Sequence, residues 1–101
     1  MHLVQILLPL NRNNGQRQPR ALFGEVRDEL VERFGGLTAY NRSPAEGLWE
    51  SGDGTQRDDV VILEVMAPSL DRPWWESFRR QLEDRFEQEA IVVRAMEVVT
   101  L

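Results

Sequence analysis

Apolar and polar positions along this chain switch between two periods. His2 to Leu8 (HLVQILL) reads as a strand, with Gln5 interrupting its apolar run, and Pro9 ends it. NRNNGQRQPR follows as a polar loop with an Asn-Gly pair. Pro19 stands where a helix begins, since a first turn tolerates its missing N–H. Leu22, Phe23, Val26, Leu30, Val31 and Phe34 recur at helical spacing and predict one buried stripe. Gly35-Gly36 stops that helix, because glycine accepts the left-handed conformation that closes it. Leu37 to Arg42 then reads as a strand, SPAEG interrupts it, and LWE continues it in extended form. SGDGTQ is a turn signal, after which Asp59 to Met66 returns antiparallel and Pro68 breaks the run. Asp71 caps a second helix with Pro73 in its first turn. Trp75, Phe78, Leu82 and Phe86 form its buried stripe, with Trp74 at the edge. Ala90 to Val99 is the last strand.

The predicted order is β-α-β-β-α-β over one domain, residues 1–101. This is the ferredoxin-like arrangement, an α+β fold with a four-stranded antiparallel sheet and two helices on one face. The two halves echo each other. Both run R-x-x-L-x-x-R-F, through Arg27, Leu30, Arg33 and Phe34 in the first and Arg79, Leu82, Arg85 and Phe86 in the second.

One position breaks the pattern. The run VVILEVMA, Val60 to Ala67, is apolar except for Glu64. Strand side chains alternate between faces. Val61, Leu63 and Val65 form one row; Val60, Ile62, Glu64 and Met66 form the other. An unpaired buried carboxylate is costly, so the Glu64 row belongs on the face without helices. By the same rule Val4, Ile6 and Leu8 suit the core, while Leu3, Gln5 and Leu7 face away from it. In the last strand the row Val92, Arg94, Met96 and Val98 is assigned to the open face. Ile91, Val93, Ala95, Glu97 and Val99 go to the covered one, with Glu97 reaching water near the strand end. Glu64, Gln5 and Arg94 are therefore expected in one hydrogen-bonded row across three neighbouring strands.

The rest of that face is apolar, where a solvated sheet face would be polar. A patch of this kind marks an interaction surface. The expected solution is a homodimer with the two sheets face to face, an isologous contact that encloses the polar row. The candidate ligand-binding residues are Gln5, Tyr40, Trp49, Glu64 and Arg94. Tyr40 and Trp49 are aromatic walls suited to a partly wet pocket. Arg42, Glu46 and Glu50 lie in the same stretch and read as solvated surface. Register-setting within the interface is the competing role for the polar row.

Composition narrows the chemistry. There is no cysteine, no lysine and one histidine, His2. Disulfides, thiolate chemistry, Schiff bases and a multi-histidine metal site are thereby excluded. No cofactor or metal is expected. The net charge of −5 disfavours nucleic acid and anionic lipid. The two central strands also lack the aromatics on which RNA-binding sheets stack bases. Asp58 and Asp59 read as turn charge rather than a metal pair. Arg12, Arg17 and Arg20 could gather an anion at the positive end of the first helix, although no glycine-rich cradle accompanies them. The N-terminal run lacks a basic region and a cleavage site, and no stretch is long enough to span a membrane, so a cytoplasmic protein is expected.

RFGGLTAY, GLWESGDG and RFEQEAIVV together resemble a family of small bacterial proteins of uncharacterised function, over nearly the whole chain. The resemblance implies a ferredoxin-like fold and transfers no catalytic residue. The architecture is also similar to dimeric α+β barrel proteins, in which two open sheets meet and some members are cofactor-independent monooxygenases or bind haem; the single histidine at the chain end supports haem ligation poorly. Two readings follow. One is a homodimer binding a small molecule at the open sheet face. The alternative is a cofactor-independent, monooxygenase- or isomerase-like enzyme with Glu64 as its acid–base group and Arg94 orienting an anionic or carbonyl group.

Overall fold

The computed structural model describes residues 1–40, 46–51 and 54–101, and of 46–51 and 54–59 the backbone alone. The elements are β1 (His2–Pro9), α1 (Arg20–Phe34), β2 (Thr38–Tyr40), β3 (Glu46–Ser51), β4 (Gly54–Ala67), α2 (Arg72–Arg85) and β5 (Val92–Glu97). The sheet runs β2-β4-β1-β5, antiparallel throughout, and β3 pairs with the first six residues of β4. This is the ferredoxin-like order, with β2 and β3 in the place of one interrupted strand.

Several boundaries differ from expectation. β4 begins at Gly54 rather than Asp59, and Thr55 and Gln56 belong to the strand rather than the turn. The polar segment TQRDD does not alternate, but β3 supplies its ladder partners from Glu46↔Asp59 to Ser51↔Gly54. Backbone pairing here overrides side-chain pattern. β2 begins at Thr38 rather than Leu37, and β5 is shorter than predicted, at Val92–Glu97. Residues 41 and 42 of the predicted second strand lie outside the described residues.

The helices start and stop for the anticipated reasons. Pro19 flanks α1, and Gly35 closes it at φ 82° with its N–H on the Val31 carbonyl. The Asp71 side chain accepts the Trp74 N–H at 3.2 Å and caps α2. Val31 is not in the stripe and is 43 % exposed. Val26 and Leu30 are buried, Leu22, Phe23 and Phe34 pack partly buried against the core, and Val31 stands about 100° round the helix from Leu30.

The core lies between the helices and the covered sheet face. Val4, Ile6, Leu8, Val61, Leu63 and Val65 meet Val26, Leu30, Trp75, Phe78, Leu82 and Phe86, all buried. Trp75 is inside, stacked on Phe34 at 5.2 Å. Trp74 covers the edge, with the Arg33 guanidinium 4.1 Å from its ring centroid. Ala95 has the parity of the core but is exposed. The reason is a groove of about 240 Å³ between α2 and β5, lined in part by Trp75, Val93 and Ala95.

An ion pair joins the two helices. Arg85 donates to both Glu29 oxygens, at 2.6 and 2.9 Å. These hydrogen bonds hold the Glu29 pKa below the usual carboxylate range, against a smaller opposing effect of burial. A carboxylate with a lowered folded-state pKa contributes stability above its unfolded value and loses it as pH falls through the folded one. Urea unfolding of the native chain is therefore expected to weaken across the acid range. Arg85→Gln should weaken less over the same span; an identical slope would remove this pair from the acid response.

Candidate functional site

Strand register builds the site. Opposite residues in an antiparallel pair share a face, so the open face carries three transverse rows. The first is Met66, Leu3 and Met96. The second is Thr38, Glu64, Gln5 and Arg94. The third is Tyr40, Ile62, Leu7 and Val92. One polar row thus lies between two apolar ones, on a face that no helix covers. Met66, Met96, Val92 and Tyr40 remain 38–51 % exposed there.

From Arg94 to Glu64 the polar row is continuously hydrogen-bonded. Arg94 Nε donates to Gln5 Oε1 at 2.7 Å. Gln5 Nε2 donates to Glu64 Oε1 at 2.7 Å. The Tyr40 hydroxyl donates to Glu64 Oε2 at 3.2 Å, reaching diagonally from the next row. The Gln5 amide has only one consistent orientation, because Arg94 can only donate and the carboxylate can only accept. Charge sits at the two ends, positive on the β5 edge and negative on β4, with a neutral amide between. Short charge-assisted bonds of this kind polarise one another.

The row's expected members Gln5, Glu64 and Arg94 are thus brought together, and Tyr40 joins them. Thr38 was missed, although it lies two residues before Tyr40 and so shares its face. Trp49 belongs to β3 opposite Gln56, and its side chain lies outside the described residues. The same holds for Glu46, Glu50, Asp58 and Asp59, and Arg42 lies outside them altogether. A groove of about 350 Å³ opens beside Glu64, lined by Phe34, Gly35, Gly36, Leu37, Thr38 and Met66.

The Glu64 charge, and secondarily its hydrogen bond, push the Tyr40 pKa up from the ordinary tyrosine value. Tyr40 is the only tyrosine in the chain, so its titration is read without overlap. Ultraviolet absorbance titration is expected to show this raised value in the native chain and a fall toward the ordinary value in Glu64→Gln. The same value in both would mean the contact is not made in solution.

Other candidates are dispersed or spent. His2 Nε2 is 3.9 Å from Glu97, and His2 is not among the residues that line the groove beside Glu64. Arg12 is taken by Glu87 at 3.0 Å, so it does not gather an anion with Arg17 and Arg20. Among the described residues no three histidine, cysteine or acidic side chains cluster to hold a metal. No described helix is long and apolar enough to cross a membrane.

No family model matches the chain, and no curated protein does, in agreement with motifs that resemble a family of uncharacterised function. Solved structures do match. The chain is similar to a phage SAM lyase in complex with S-methyl-5'-thioadenosine, with TM-score 0.61 and 14% identity over 95% of this chain and 80% of that one. It is likewise similar to a phage SAM lyase in the apo state, with TM-score 0.58 and 14% identity over 94% and 78% of the two chains. At this identity the likeness establishes a shared small α+β fold, and the ferredoxin-like architecture stands on that and on the strand order.

Proposed function

We propose that this protein is a homodimer of ferredoxin-like subunits that binds a small organic molecule at the open sheet face, with Tyr40, Glu64, Gln5 and Arg94 as its polar lining. The observation that carries the reading is the continuous hydrogen-bonded row set between two apolar rows on an uncovered face. Apolar surface drives association, and the few polar groups orient what is enclosed. The row also suits a second copy. In a two-fold contact residue i meets j and j meets i, so the Arg94 end of one row can lie over the partner subunit's Glu64. Support from fold likeness is modest: a ligand-bound lyase shares the architecture, and function lives in sites rather than folds.

A second reading is favoured by the Tyr40–Glu64 bond. A carboxylate and a phenol in contact can pass a proton to or from a bound substrate. In this reading Glu64 is the acid–base group of a cofactor-independent enzyme, and Arg94, through its remaining N–H groups, orients an anionic or carbonyl substituent.

Ligand-observed NMR with a panel of small organic molecules that includes S-methyl-5'-thioadenosine tests both. At least one ligand is expected to bind the native chain and to lose about tenfold or more in affinity in Glu64→Gln. Hits indifferent to Glu64→Gln and Tyr40→Phe would place binding elsewhere. Turnover of a hit by the native chain, lost in Glu64→Gln at unchanged mass of the assembly in solution, would select the enzymatic reading.

A further inference from the structure

A third groove lies away from the open sheet face, where the β1–α1 loop meets α1. Its volume is about 470 Å³, and it is lined by Arg17, Arg20 and Arg27 above a floor of Leu10, Phe23 and Val61. Three of the twelve cations of an acidic protein converge there, and no acidic side chain lines the groove among the described residues. Arg17 and Arg20 form no ion pair among the described residues, unlike Arg12, Arg33, Arg79 and Arg85.

The arginines stand on a braced frame. Asn11 and Arg17 form a β-bridge, and the Gln18 N–H donates to the Leu10 carbonyl at 2.9 Å. The Gln18 side chain is 3 % exposed and donates through Nε2 to the Phe86 carbonyl at 2.7 Å. The loop backbone is therefore tied both to β1 and to the end of α2, which fixes the points from which Arg17 and Arg20 extend.

Gly24 leaves one wall of the groove open. It sits within α1 and lines the groove, and a Cβ built on it meets nothing within 4 Å. Glycine weakens a helix interior relative to alanine. No close contact demands it here and its φ is not left-handed, so the backbone gains nothing from it. What its missing side chain does is keep the groove open.

We infer that this groove binds a small organic phosphate, its anionic group held by Arg17 and Arg20 and its apolar part resting on Leu10, Phe23 and Val61. Guanidinium groups match phosphate oxygens in bidentate geometry. The first turn of α1 carries no acid and no side-chain cap, so the positive end of the helix is not neutralised locally.

The test is calorimetric titration with phenyl phosphate and with inorganic phosphate. Phenyl phosphate is expected to bind one per chain and more tightly than inorganic phosphate. Arg17→Gln with Arg20→Gln should weaken it about tenfold or more. Gly24→Leu should abolish binding while raising the melting temperature, because it fills the groove and improves the helix. That pairing separates a blocked site from a misfolded one. Absence of saturable binding, or affinity unchanged by both variants, would overturn the site. Equal affinity for inorganic phosphate would overturn the apolar half of the inference.

Discussion

Phe86→Ala is expected to destabilise the fold by about 3–5 kcal/mol, the range for emptying a buried aromatic position. Phe86 is fully buried just beyond α2. Its ring meets Phe23 of α1 edge-on at 5.3 Å. Its carbonyl accepts the Gln18 amide at 2.7 Å, which anchors the β1–α1 loop. One residue thus joins both helices and the loop, and the space it leaves is bounded by elements that cannot all collapse inward. Domains of this size hold about 5–15 kcal/mol in total, so the loss is a large share. Phe86→Leu keeps most of the volume and should cost less than about 2 kcal/mol. Urea titration of the three proteins measures this. A cost near zero for alanine would mean that Phe86 is not packed as described.

Val92→Asp with Met96→Asp is expected to abolish self-association. Both residues lie on the open face of β5, an edge strand, and are 51 % and 46 % exposed in the single chain. The monomer's core is therefore untouched, and circular dichroism should not change. In a face-to-face dimer each carboxylate would be enclosed opposite Leu7 or Leu3 without a partner, at a cost of a few kcal/mol apiece. Across two subunits the dissociation constant should rise by more than about a thousandfold. A variant that still associates like the native chain would put the interface elsewhere.

The outcome at Glu64 shows what the residues alone could yield. Alternation and the cost of a buried charge placed Glu64 and Gln5 on one face; in the last strand both rows carry a charge, so the side of Arg94 was a choice, and the register puts all three in one row. The Tyr40 contact was not legible, because it is diagonal and depends on where a three-residue strand docks on β4. β4 was too short in prediction because its polar first half is a strand only by virtue of β3. Val31 was misplaced because six apolar residues in fifteen allow two overlapping stripes, and only packing against the sheet chooses between them. Ala95 had the right parity for the core, but no pattern announces that a helix leaves a groove above it. The arginine groove was half visible. Arg17 and Arg20 were noted, while Arg27, ten residues from Arg17, and the open space beside Gly24 emerge only when the loop folds against α1.

Light scattering of the native chain across a dilution series tests the central claim, that the open sheet face with its Tyr40–Glu64–Gln5–Arg94 row is an enclosed site completed by a second copy. The expected result is twice the chain mass, persisting down to about micromolar concentration. The mass of a single chain at every concentration would contradict it, because Glu64 and its neighbours would then face water and enclose nothing.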